Sequence, residues 1–382
     1  MGQWSKRIAI MAAAGMLAVS TMTGCGASLN ADETVATVGE DKISVGVANF
    51  YARMQQAQYE TYYAAMMGMT AEELWAQEID EGVDYEDSVK DSVLETLENM
   101  YLMKQHAEEY GVSISDDEQK AIEKAAEDFD ENNALEAKEA VSGYQKYVEE
   151  LLTLIQIQNK MNDAMVADVD TEVSDEEAAQ KSMKYVLFSY TITDEEGNSV
   201  TLTDDEKTAL KDTAQAFVDD LKAGGDIDTL AEAVSEQDIT VQTLTFDSES
   251  TSPSEDLIQT VDALAAAGDV TDVIETDSGL YVAQLESLFD EEATESEKES
   301  IVQQRKQDRY NELLEQWKEE TEITVHEKVW DKVDFSKQGV TIMDTTVDEE
   351  ATDDTTDTAA EDSASDDTAE EDDTADDAAD EE

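Results

Sequence analysis

Few side chains in this chain of 382 residues are equipped for covalent chemistry. There is one cysteine, Cys25, and there are two histidines, His106 and His326, so neither a Cys/His nucleophile pair nor a histidine-rich metal site is spelled out. Each imidazole stands alone and reads as a surface or helix-face residue. Acids abound, with 96 Asp and Glu against 24 Lys and Arg. Asp168, Asp170 and Glu172 alternate as ligands would, yet the stretch lacks the sharp-turn glycine and the spaced bidentate Glu of a calcium loop. Gly224-Gly225-Asp226 stops a helix rather than cradling a phosphate, because no strand precedes it and no Lys-Ser/Thr follows. No metal and no cofactor is expected. A lone cysteine cannot close an internal disulfide, so its use has to be sought in what precedes it.

Lys6 and Arg7 form a short basic start, residues 8–19 are an apolar run of leader length, and Met22-Thr23-Gly24 brings small residues up to Cys25. The pattern resembles a bacterial lipoprotein signal. That resemblance implies removal of residues 1–24 and a diacylglycerol on Cys25, which would tether the mature chain to the extracytoplasmic face of the cell membrane through residues 25–34. No later segment offers the uninterrupted apolar run of a membrane span. The formal charge of −72 disfavours a nucleic-acid partner, since phosphate binding needs Lys and Arg. Residues 344–382 contain only Asp, Glu, Thr, Ala, Ser and Val, too little apolar surface to offset ordering, and are expected to be a disordered acidic tail.

Between these ends the patterning predicts an α+β fold. Residues 35–43 read as a hairpin turning at Gly39, with Ser44 capping a helix that reaches Met67 through Val47, Phe50, Tyr51, Met54 and Tyr62. Residues 85–110 carry Val89, Val93, Leu94, Leu97, Met100 and Tyr101 at helical spacing, and Gly111 ends the run. Ser115 to Glu118 is a capping box, and one long helix is expected over 134–167. Strands and helices then alternate from 181 to 288 in the order β-α-α-β-α-β, with a further capping box at Thr203 to Glu206. Ser296 to Glu299 looks like the start of a helix running to Glu320, followed by a short coda to Phe335.

The closing strand of that middle region, residues 277–286 (DSGLYVAQLE), alternates so that Leu280 and Val282 face one way and Tyr281, Ala283 and Leu285 the other. Together with Lys184-Tyr-Val-Leu-Phe188 and the helix-glycine-helix stretch from Phe217 to Ser235, it resembles a parvulin-type peptidyl-prolyl isomerase domain over residues 181–288. The flanking segments, 35–170 and 296–343, are similar to the PrsA/SurA group of extracytoplasmic foldases, in which a helical chaperone domain is built from both chain ends around the inserted parvulin domain.

Rotating an X–Pro bond faces a barrier of about 20 kcal/mol although its isomers differ by only about 1 kcal/mol. An isomerase therefore needs an apolar cup and polar groups that favour the twisted amide. In the family the polar groups are paired histidines. Tyr185 and Tyr281 stand at those positions here, and the glycine-rich stretch bearing a Cys or Asp has no counterpart. By the resemblance, Leu187, Phe246, Pro253, Leu257 and Tyr281 would contact substrate. The two phenols could keep a hydrogen-bonded pair or pack as core aromatics. The expected function is a membrane-anchored foldase binding unfolded or newly secreted polypeptides, its parvulin-like domain without the usual catalytic residues. The alternatives are an active prolyl isomerase and a surface lipoprotein adaptor for one partner.

Overall fold

The computed structural model describes residues 16–21, 29–193, 197–234 and 239–343. Cys25, most of the leader and the acidic tail lie outside the described residues. In chain order the elements are β1 (Leu17–Thr21), β2 (Thr34–Val38), β3 (Asp41–Ser44), α1 (Val45–Gln58), a π-helical turn (Tyr59–Tyr63) and α2 (Ala64–Met67). Next come α3 (Ala71–Trp75), a small hairpin of β4 (Glu78–Asp80) and β5 (Val83–Asp84), α4 (Tyr85–His106), α5 (Asp116–Asn132), α6 (Leu135–Val141) and α7 (Gln145–Ala164). The middle region contains β6 (Lys181–Ser189), β7 (Thr191–Thr193), β8 (Ser199–Thr201), α8 (Asp204–Lys222), α9 (Ile227–Ala233), β9 (Gln242–Phe246), α10 (Glu255–Asp262), β10 (Ile274–Glu275) and β11 (Gly279–Ser287). The chain ends with α11 (Glu291–Glu320), β12 (Ile323–Val325), α12 (Glu327–Trp330) and β13 (Gln338–Ile342).

The helical lobe is closed by both ends of the chain. β2 and β3 form the expected hairpin, and β12 adds to the free edge of β2, with Ile323 opposite Val38. The backbone N–H of His326 reaches the carbonyl of Val35, which holds the coda in place. One apolar core runs through this lobe, from Val35 and Phe50 through Leu97, Phe129 and Leu154 to Trp317 and Phe335. His106 packs at the edge of this core. It stacks on Trp317 with ring centroids 4.3 Å apart and interplanar angle 6°.

The middle lobe is a four-stranded antiparallel sheet in the order β10-β11-β6-β9. Both faces are covered, as alternation of two apolar sets requires. Leu280, Val282, Val186 and Phe188 meet Phe217, Val218 and Leu221 of α8 on one side. Tyr281, Ala283, Leu285 and Met183 meet Leu257, Ile258 and Val261 of α10 on the other. Gly279 opens β11 at a φ of 150°, and a Cβ there would lie 2.3 Å from the carbonyl oxygen of Phe188, so the strand can start here only with glycine.

Three expectations on the elements need correction. The helix foreseen over 134–167 is two, because Ser142 turns left-handed at φ 55° and the buried Asn49 amide donates to both Ala140 O and Ser142 Oγ, satisfying the break. The helix foreseen from Ser296 begins at Glu291, capped by Asp290, whose carboxylate accepts from Ala293 N. Tyr62, expected on the packed face, is 61% exposed. Sequence patterning also did not foresee β1 and β13, which pair with each other.

Candidate functional site

On the sheet, Tyr185 and Tyr281 come together. They occupy diagonal positions of β6 and β11, since Tyr281 is opposite Leu187 and Ala283 is opposite Tyr185. Their ring centroids are 5.9 Å apart at 52°. Neither hydroxyl has a hydrogen-bond partner among the described residues, so ring contact, not a bond between phenols, joins them. Burial, with the neighbouring Tyr281 adding to it, pushes the Tyr185 phenol above its ordinary pKa. Such a phenol stays protonated and neutral at pH 7.

Of the residues foreseen as a cup, Phe246, Leu257 and Tyr281 are buried in one cluster, with Tyr185 and Leu187 packed half-buried at its margin. Leu257 has no exposed surface. Pro253 is exposed and does not join the cluster. The capacity of this face as it stands is for packing α10 onto the sheet. A proline ring would have to displace side chains already in contact.

A second site lies in the helical lobe, in a cleft whose residues the sequence reading did not name as a site. Tyr51, Gln55 and Tyr59 on one side and Tyr85, Ser88, Val89, Ser92, Val93 and Thr96 on the other line an open cleft of about 230 Å³ between α1 and α4. Its floor is aromatic. Tyr59 lies 5.6 Å from Tyr85 and 5.8 Å from Trp75, and Trp75 stacks on Tyr85 at 5.7 Å and 17°. Burial, then the hydrogen bond with Tyr59, pushes the Tyr85 phenol up to about 12. The π-helical turn itself carries Tyr62 and Tyr63, and α2 after it carries Met66 and Met67, all exposed. Stacked rings with polar tips and flexible methionines suit apolar side chains of no fixed shape.

What positions the cleft is a buried polar cluster under α1. Arg53 is 3% exposed and donates to Gln56 Oε1 (2.6 Å), Asn49 Oδ1 (3.3 Å) and the carbonyls of Asp334 (3.0 Å) and Gln338 (3.1 Å). Burial lowers its pKa to about 10 against the opposing pull of Glu86, Glu60 and Asp334, which leaves it cationic at neutral pH. Glu60 accepts from Trp75 Nε1 (2.9 Å), Gln56 Nε2 (2.6 Å) and Val340 N (2.8 Å), yet burial still raises its pKa. Glu86 is raised for the same reason while accepting from Phe335 N at 2.6 Å. The signal was present in the sequence: Arg53 is the only charge within α1, and Asn49, Arg53 and Gln56 share a helical face.

Residues 1–151 match the SurA-like N-terminal domain family. The matched segment contains every cleft residue, the aromatic floor formed by Tyr59, Trp75 and Tyr85, and the exposed Tyr and Met run. It lacks part of its own support, because the carbonyls that hold Arg53 belong to residues 334 and 338. No curated protein matches the chain. Among solved structures, the foldase protein PrsA from Lactococcus lactis is similar at 13% identity, covering 80% of this chain and 98% of that one at a TM-score of 0.32. The foldase protein PrsA from Streptococcus pneumoniae is similar at 18% identity, 69% and 99% coverage and a TM-score of 0.27. PrsA from Bacillus subtilis is similar at 15%, 63% and 87%, with a TM-score of 0.22.

Proposed function

We propose that the protein is a lipid-anchored extracytoplasmic foldase that holds unfolded or newly secreted chains through its SurA-like domain. The observation that carries this reading is the aromatic cleft between α1 and α4, continued by exposed Tyr62, Tyr63, Met66 and Met67. Apolar surface of this kind, left open beside a polar rim, serves contact with other chains. Cys25 is the proposed anchor, and the acidic surface suits basic clients and excludes nucleic acid. The parvulin-like sheet acts in this reading as a packed second module. Tyr185, Leu187, Phe246, Leu257 and Tyr281 then contribute to its stability, and any contact with a client falls to exposed residues such as Pro253.

The test is suppression of aggregation. The processed chain at a stoichiometric ratio to an unfolded model client should slow light scattering, and replacing Tyr62, Tyr63, Met66 and Met67 together by Ser should remove most of that effect. A wild-type chain that leaves scattering unchanged sinks the proposal.

A further inference from the structure

β13 is held very differently along its two edges. On one edge its backbone is tied to the helical lobe: Val340 N donates to Glu60 Oε2 (2.8 Å), Ile342 N to Thr61 Oγ1 (2.9 Å), and Gln338 O accepts from Gln56 Nε2 (2.8 Å) and Arg53 (3.1 Å). Backbone groups alternate along a strand, so those of Gly339 and Thr341 face the opposite edge. There β1 runs antiparallel, with Ala18 opposite Thr341 and Ser20 opposite Gly339. The N–H of Leu17 points away from β13 and is taken by Asn133 Oδ1 at 2.9 Å, which confirms the phase of the ladder. Leu17 is 5% exposed within the helical core and Val19 packs against the same core. Among the described residues β1 is the only strand paired with β13.

β1 nevertheless belongs to the leader, which the lipoprotein reading removes. Cleavage before Cys25 would take β1 away and leave both the acceptor edge of β13 and the apolar slots of Leu17 and Val19, while the opposite edge of β13 stays tied through Arg53, Gln56 and Glu60. A sheet edge presenting unpaired N–H and C=O groups beside apolar slots is a template for an added strand. We propose that in the mature chain this edge binds an extended apolar segment of an unfolded polypeptide, antiparallel to β13, with apolar side chains at positions i and i+2 in the slots that Leu17 and Val19 fill. In the precursor the leader occupies the same place and keeps it closed. This inference rests on the lipoprotein reading and adds to it a binding edge distinct from the α1/α4 cleft.

The experiment begins with intact mass. Protein from membranes should be cleaved before Cys25 and carry diacylglycerol; an uncleaved chain would overturn the leader reading and this inference together. A labelled peptide of sequence Met-Leu-Ala-Val-Ser-Thr, that of residues 16–21, is then titrated by fluorescence polarisation against processed chain and against the Cys25→Ala precursor. Binding should be at least about tenfold tighter to the processed form, about the effect of one or two net backbone hydrogen bonds and a buried side chain. N-methylation at the peptide position matching Ala18 or Ser20, whose N–H groups face β13, should weaken binding by about tenfold, and at the position matching Val19 by less than about threefold. Thr341→Pro, which removes an N–H from the acceptor edge, should abolish binding with an unchanged circular dichroism spectrum. Equal affinity for processed chain and precursor overturns the proposal while the mass result stands. So do equal effects of the N-methyl groups, or a processed chain that dimerises in sedimentation and ignores the peptide.

Discussion

Tyrosines in the two lobes have opposite fates. On the sheet, Tyr281 is 4% exposed and spends its ring on Tyr185, Leu257 and the α10 face. In the helical lobe Tyr59 and Tyr85 line an open cleft, and Tyr62 and Tyr63 stand out from the surface. One residue type is filling in the first place and open surface in the second. The contrast teaches that a tyrosine's role follows from the packing around it and not from its type. In the helical lobe the rings are left open above a buried cation, Arg53.

Breaking the support of the cleft should have the largest effect. Arg53→Met strands the raised carboxylates Glu60 and Glu86 and frees two carbonyls, for an expected loss of about 3–5 kcal/mol in urea unfolding. Such a loss would show that the open site depends on residues 334 and 338 as much as on its own helices. Next comes a direct comparison of the rings. Tyr281→Ala should cost about 3 kcal/mol by leaving a cavity, whereas Tyr62→Ala should change stability by under about 0.5 kcal/mol and weaken suppression of client aggregation. A reversal of these two results would place the client site on the sheet. Smaller is the effect of Ser115→Ala at the start of α5, about 1 kcal/mol, because Ser115 Oγ accepts from Glu118 N as the helix cap.

Acid titration separates two kinds of carboxylate within the helical lobe. Burial pushes Glu118 up, but Lys160 at 2.8 Å and the Ser115 backbone and hydroxyl bonds outweigh it and bring its pKa down to about 2. A depressed carboxylate contributes stability that is full above its unfolded value near 4.5 and is lost as pH falls toward 2. Glu60 and Glu86 are raised, so they act in the reverse sense: folding gains from their protonation, and that gain is lost as pH rises above about 4.5. Glu118→Gln should therefore flatten the decline in melting temperature below pH 4.5. Smallest of all, Tyr185→Phe and Tyr281→Phe should alter stability by under about 0.5 kcal/mol, since neither hydroxyl has a partner among the described residues. Cis-to-trans conversion of a short proline peptide should run at the uncatalysed rate with wild type and both variants; a wild-type rate that falls in Tyr281→Phe would return chemistry to the sheet.

Much of the architecture could be read from local signals. The capping boxes at Ser115 and Thr203 both form, the hairpin turns at Gly39, and the alternation of Leu280 to Leu285 divides between two cores as expected. Errors arose where a local signal met a tertiary one. Ser296 has the spacing of a cap, but Asp290 caps first. Ser142 breaks a helix because Asn49, more than 90 residues away, satisfies the break. The cleft escaped notice for the same reason, as its support comes from carbonyls more than 280 residues from Arg53. Periodicity shows which face of a helix is buried, and it is silent on which distant backbone that face will meet.

Arg53 also sets an order of events. Its carbonyl partners at Asp334 and Gln338 are made more than 280 residues after it, once the whole sheet between α7 and α11 has been synthesised. A contact spanning that much chain carries a large loop-closure cost and forms late. The helical lobe is thus the last part to close, and a chain halted before residue 338 would carry a finished sheet beside an open core, itself in need of a chaperone.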